Sequence, residues 1–84
     1  MKGIIFNVFN QLVEEAFGLS VWEQVLEKAQ PESEGIYTAA ASYPDEELFA
    51  LATALSELTE IPVNDLVYTY GKYLFCMFSE YCLQ

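Results

Sequence analysis

The stretch Gly3–Phe17, GIIFNVFNQLVEEAF, is a helix-forming segment that is apolar on almost every side. Two apolar stripes run along it at three- to four-residue spacing. The first consists of Ile4, Ile5, Val8, Leu12 and Ala16, and the second of Phe6, Phe9, Val13 and Phe17. A helix at the surface of a globular protein normally has one apolar stripe, about 100° wide. The segment therefore predicts a first helix that is central in the fold or is covered by something other than its own chain.

Three further helices are predicted along the chain. Ser20 and Glu23 give the S-x-x-E capping-box pattern, which indicates the start of a second helix, and Pro31 indicates its end. Pro44, followed by three acidic residues, indicates the start of a third helix, and a fourth follows Pro62. The predicted helices span about 3–17, 20–30, 44–59 and 62–82. The sequence thus predicts one all-α, four-helix domain over residues 1–84.

The composition argues against several classes of partner. The formal net charge is −10, and the only basic residues are Lys2, Lys28 and Lys72. Nucleic acids and anionic membrane surfaces are bound by clustered lysine and arginine, so neither is an expected partner. No apolar run reaches the length of about 18 residues that a membrane span needs. We expect a cytoplasmic protein that does not enter a membrane.

No residue set in the chain indicates catalysis. The sequence has no histidine, which removes the commonest general base and the commonest haem ligand. There is also no glycine-rich phosphate loop and no nucleophile beside a base, so we expect no enzyme activity. Cys76 and Cys82 would lie about 9 Å apart along one helix, beyond the limit of about 7 Å for a disulfide. We expect two thiols and no metal site.

The first and last helices are both apolar on more than one side, which suggests an apolar cavity between them. The candidates for its wall are Ile5, Val8, Phe9, Leu74 and Phe78. Pockets for small molecules are mostly apolar, so a flat hydrophobic ligand would suit these residues. The alternative is that they pack on one another in the core, and composition alone favours that alternative. Gly71 allows another helix, or less commonly a flat ligand, to come close.

Three motifs resemble the H-NOX (haem–nitric oxide/oxygen binding) family. They are M-K-G-I at Met1–Ile4, Y-P-D-E-E-L at Tyr43–Leu48 and G-K-Y-L-F at Gly71–Phe75. The resemblance covers residues 1 to about 81 and implies a bacterial gas sensor. It also implies that this chain is the N-terminal helical subdomain, which forms the distal side of a haem pocket. In the family, the second half of the domain supplies the proximal histidine and a Tyr-x-Ser-x-Arg motif. Neither is present here, so this chain would not ligate haem through histidine.

By position, the resemblance implies a distal haem wall. Its residues would be Met1, Ile5, Val8, Phe9, Leu74 and Phe78. The aliphatic Leu74 cannot donate a hydrogen bond to bound oxygen, which favours nitric oxide as the gas. The implied partner is a histidine kinase or a cyclic-di-nucleotide enzyme. The alternative function is a stand-alone helical interaction module that forms homo-oligomers, because large exposed apolar surfaces drive association.

Overall fold

The computed structural model describes residues 1–77 and has four helices in that range. They are α1 (Gly3–Phe17), α2 (Leu19–Ala29), α3 (Asp45–Thr59) and α4 (Val63–Met77). The predicted all-α, four-helix class is confirmed, and the first helix has the predicted bounds. The rest of the predicted fourth helix, with Phe78 and Cys82, lies outside the described residues. None of the four helices is long and apolar enough to cross a membrane.

The junction between α1 and α2 is made by a single glycine. The predicted capping box is wrong, because α2 begins at Leu19 and Ser20 lies inside it. Gly18 has φ 95° and ψ 161°, and the positive φ favours glycine. Its N–H donates to the Glu14 carbonyl at 3.0 Å and its carbonyl accepts from the Trp22 N–H at 3.3 Å. One residue therefore ends α1 and begins α2.

The core lies where α2 packs against both α1 and α3, and the connector between α2 and α3 adds Tyr37 to it. Its fully buried side chains are Phe6, Val13, Val25, Leu51 and Leu55. Phe6 stacks on Tyr37 of the connector with ring centroids 4.4 Å apart. Helix α4 packs against α1 and α3, and it buries Leu66 and Tyr70. The second stripe of α1 thus faces the interior, as its aromatic composition suggests.

The connector folds back over the start of α1. The Gly3 N–H donates to the Ala41 carbonyl at 2.8 Å, the Ile4 N–H to Ala39 at 3.0 Å, and the Tyr43 N–H to Met1 at 2.8 Å. The first N–H groups of a helix have no partner within the helix. The connector therefore satisfies two such groups of α1 and joins the chain start to the residues before α3.

Two glycines differ sharply in the space around them. A Cβ on Gly3 would lie 1.9 Å from the Thr38 carbonyl oxygen and 2.9 Å from the Tyr43 ring. Only glycine allows the connector to cross α1 at this distance. A Cβ on Gly71 would meet nothing within 4 Å, so the expected close approach of another helix is wrong for the part of the chain that the structure describes.

Substitution of Gly3 by alanine tests the connector crossing. We expect Gly3→Ala to lower the free energy of unfolding by about 1–3 kcal/mol, because overpacking forces the connector away. The matched control is Gly71→Ala, which we expect to raise stability by about 0.5–1 kcal/mol by removing a helical glycine. Urea unfolding followed by circular dichroism measures both. Equal stability of Gly3→Ala and the wild type would contradict the crossing.

Candidate functional site

An apolar cavity of about 430 Å³ lies between α1, α3 and α4. Its walls are Met1, Ile5, Phe9, Leu48, Phe49, Ala52, Leu66, Val67, Tyr70, Gly71 and Leu74. The volume lies within the range of about 300–1,000 Å³ that is typical of small-molecule pockets. None of the lining side chains is charged, so the cavity suits an apolar ligand.

The structure brings together four of the predicted site residues. Met1, Ile5, Phe9 and Leu74 all line this cavity. Val8 does not line it, because its side chain is buried in the core with 3% of its surface exposed. Phe78 lies outside the described residues. Cofactor binding by these residues stays a prediction. Their position in the wall of one cavity supports it.

Seven lining residues are not among the predicted site residues. They are Leu48, Phe49, Ala52, Leu66, Val67, Tyr70 and Gly71. The i, i+4 spacing of Leu66, Tyr70 and Leu74 places these three on one face of α4, and the sequence carries that signal. Phe49 is 57% exposed although it is a large aromatic residue. In the sequence, Phe49 lies next to Leu48, and Leu48, Leu51, Ala52 and Leu55 recur at helical spacing, which indicates an apolar face on α3.

Tyr70 is the polar side chain of the cavity wall, and its hydroxyl is occupied. The hydroxyl donates to the backbone carbonyl of Ile5, so it ties α4 to α1. The Tyr70 ring is 9% exposed and meets the Phe9 ring edge-on at 5.3 Å. Burial raises the pKa of Tyr70 well above its usual value. Among the lining side chains of residues 1–77, the cavity is therefore left with no free hydrogen-bond donor.

Met1 is held at the cavity by the residues before and within the first turn of α3. Its ammonium group donates to the Tyr43 carbonyl at 2.7 Å and lies 3.4 Å from Oδ1 of Asp45. These contacts join the M-K-G-I and Y-P-D-E-E-L segments in space. The two motifs are therefore parts of one structural unit that places the Met1 side chain in the cavity wall.

The described residues contain no cluster of ligands for a metal ion. Cys76 is disulfide-bonded, so the expectation of two thiols is wrong. The other cysteine, Cys82, lies outside the described range. What the cavity offers is apolar contact area.

The four-helix fold superposes on part of solved H-NOX structures. The Fe(II) unliganded H-NOX protein from K. algicida superposes with a TM-score of 0.90 at 38% identity, over 95% of this chain and 43% of that one. A family model described as Haem-NO-binding matches residues 2–84. The chain belongs to this family, whose members bind haem.

Two further relatives show how much of an H-NOX protein this chain spans. The H-NOX protein from S. oneidensis in the Fe(II)NO state superposes with a TM-score of 0.77 at 40% identity, over 89% of this chain and 41% of that one. The soluble guanylate cyclase gcy-35 of Caenorhabditis elegans is 28% identical over 74 residues, 88% of this chain and 11% of the relative. The chain thus spans less than half of the H-NOX structures and about a tenth of the cyclase.

The cavity fits one face of a haem, and the chain does not supply the usual axial ligand. Its apolar walls suit the hydrophobic face of a porphyrin, and Gly71 leaves open space where a side chain would stand. The 84 residues contain no histidine, so no imidazole of this chain can bind the iron. These residues therefore fit contact with the ring and do not fit histidine ligation.

Removal of the Tyr70 hydroxyl tests its bond to the Ile5 carbonyl. We expect Tyr70→Phe to lower the free energy of unfolding by about 1 kcal/mol, the net value of a typical intramolecular hydrogen bond. The control is Tyr73→Phe. The Tyr73 hydroxyl donates to Oε2 of Glu15 at 3.0 Å at the surface, so its loss should change stability by less than about 0.5 kcal/mol. Thermal unfolding compares the two, and a larger effect of Tyr73→Phe would refute the assignment.

The raised pKa of Tyr70 also predicts a pH dependence. Below about pH 10 the tyrosine is protonated in both the folded and unfolded states and contributes no pH dependence. Above that pH the unfolded state loses the proton while the folded state keeps it. The wild type should therefore lose up to about 1.4 kcal/mol per pH unit relative to Tyr70→Phe until the folded-state pKa is reached. Parallel stability curves of the two proteins from about pH 9 to about pH 11 would contradict the burial of this hydroxyl.

Proposed function

We propose that this chain forms the distal wall of the haem pocket in a nitric oxide-sensing H-NOX domain. The observation that carries the proposal is the apolar cavity between α1, α3 and α4. Ile5, Phe9 and Leu74 would contact the ring from the distal side. Bound haem supplies the iron that takes up the gas, and the residues of this chain bind one face of the ring and exclude water from it.

The choice of nitric oxide over oxygen rests on the polarity of the cavity. The polarity of a distal pocket and its hydrogen-bond donors decide which gas a haem binds. Leu74 offers no donor, and the Tyr70 hydroxyl is occupied by the Ile5 carbonyl. A cavity without a free side-chain donor gives no stabilisation to the partial negative charge of bound oxygen, whereas nitric oxide does not depend on it.

The proximal side of the haem is proposed to come from residues outside these 84. The likeness to H-NOX structures of more than twice the matched length supports this proposal. In that arrangement residues 1–84 are the distal subdomain, and the iron ligand belongs to the other half of the domain. This is the same division of roles that the sequence motifs imply.

The proposed output is a signal to a partner enzyme in the cytoplasm, and residues 1–84 have no catalytic role of their own. The match to part of a soluble guanylate cyclase supports a sensor module that works together with an enzyme. A histidine kinase or a cyclic-di-nucleotide enzyme is the proposed partner by family resemblance. Gas binding would bias a two-state position of the distal subdomain, which the partner reads. The stand-alone, homo-oligomeric interaction module is not favoured, since the family is one of gas sensors.

Haemin titration tests the proposed haem face directly. We expect the chain to bind haemin weakly and saturably, with a Soret band that lacks the signature of histidine-ligated, six-coordinate iron. Leu74→Glu should weaken this binding by tenfold or more, because it places a charge in the apolar wall and a tenfold loss corresponds to about 1.4 kcal/mol.

The matched control is Leu19→Glu. Leu19 is 56% exposed on α2 and lies away from the cavity, so this variant should bind haemin as the wild type does. Equal affinities of Leu74→Glu and the wild type would refute the proposed face. A tight, stoichiometric, six-coordinate spectrum of the histidine type would refute it as well.

A further inference from the structure

Lys72 lies beside the apolar cavity between α1, α3 and α4 (the haem-side cavity) and pairs with no carboxylate of residues 1–77. By contrast, Lys28 pairs with Glu57 at 3.2 Å. Nζ of Lys72 lies over the Tyr68 ring, 5.3 Å from its centroid. No acidic residue stands three or four positions from Lys72 in the sequence, so the neighbouring turns of α4 offer it no ion pair. Its positive charge is therefore available to an anionic ligand.

An open groove on α4 adjoins the haem-side cavity. Its volume is about 440 Å³, and its lining consists of Val67, Tyr68, Gly71, Lys72, Phe75 and Cys76. Val67 and Gly71 also line the cavity. A Cβ on Gly71 would meet nothing within 4 Å, so the space over this residue is open. A flat ligand in the cavity can therefore extend across Gly71 into the groove.

The haem-side cavity does not suit the polar edge of a haem. That edge carries two propionate carboxylates, whereas the rest of the ring is apolar. A buried carboxylate is costly unless it is paired. None of the side chains lining the cavity is charged, and the Tyr70 hydroxyl is occupied by the Ile5 carbonyl. The propionates therefore belong at the open edge of the cavity, with the apolar part of the ring inside it.

The two sides of this open edge differ in charge. On the side of Met1, the ammonium group already lies 3.4 Å from Oδ1 of Asp45, whose side chain is 62% exposed. On the side of α4, Lys72 is the basic side chain of the groove. The chain has a formal net charge of −10, so most of its surface repels an anion. The charges thus favour the α4 side for the propionates.

We propose that Lys72 binds a haem propionate and so sets the orientation of the ring on the haem-side cavity. The propionate edge lies across Gly71 towards the groove, and the apolar edge lies within the cavity. A cation–π contact at an exposed site is weak, so Tyr68 positions the ammonium group without competing strongly with a carboxylate. The inference rests on the proposed function and gives a role to the lysine of the G-K-Y-L-F motif.

Haemin and haemin dimethyl ester test this contact, because the ester keeps the ring and the iron but lacks both carboxylate charges. We expect Lys72→Met to weaken haemin binding about threefold to fivefold, as for a strong solvent-accessible ion pair, and to change ester binding less than twofold. Lys72→Arg should keep the wild-type haemin affinity, because it keeps the charge. Added salt should weaken haemin binding more in the wild type than in Lys72→Met. Soret absorbance in one dilute non-ionic detergent follows all titrations.

The matched control is Lys28→Met, which removes the same charge from α2 at a residue that lines neither the cavity nor the groove. It should bind both compounds as the wild type does. Lys72 is exposed, so its replacement should leave the chain folded, which circular dichroism checks.

Three results would overturn the role of Lys72: an unchanged haemin affinity in Lys72→Met, an equal loss for haemin and the ester, or an equal loss in Lys28→Met. If Leu74→Glu still weakens haemin binding, each of these results leaves the haem face standing. A wild-type chain that does not bind haemin saturably would refute both proposals.

Discussion

The backbone pairing of the chain start with the connector is the constraint on which the rest of the structure depends. Without it, the N–H groups of Gly3 and Ile4 at the start of α1 would lack the Ala41 and Ala39 carbonyls as acceptors. The same pairing fixes the distance between α1 and the first turn of α3, because Tyr43 exchanges hydrogen bonds with Met1. The relative positions of these helices determine the width of the cavity.

A second link closes the cavity from the side of α4. The Tyr70 hydroxyl binds the carbonyl of Ile5, a residue that itself lines the cavity, so the position of α4 is set from within the wall. This single bond has two consequences. It fixes the position of α4 relative to α1. It also uses the Tyr70 hydroxyl proton, which could otherwise form a hydrogen bond to a bound gas molecule. Architecture and the proposed gas preference therefore depend on the same contact.

The sequence predicts where the helices begin and end better than it predicts how each helix is rotated about its own axis. Pro44 and the acidic residues after it locate the start of α3 to within a residue, because these signals act locally. The apolar stripes of α1 do not decide whether Val8 or Ile5 faces the cavity, since neighbouring helices set the rotation of a helix about its axis. The role of residues 39–43 depends on backbone groups, which side-chain patterns do not reveal. For the same reason Gly3 is explained only by the nearby Thr38 carbonyl.

The central claim is that the cavity between α1, α3 and α4 is where haem lies, and paramagnetic broadening by haemin of methyl NMR signals tests it most directly. Ferric iron broadens nearby resonances, so the affected methyl groups map the bound ring. We expect the methyl signals of Ile5, Leu48 and Leu74 to broaden first, while those of Leu19 and Leu58, which do not line the cavity, stay sharp. Uniform broadening, or broadening centred on Leu19 or Leu58, would contradict the claim.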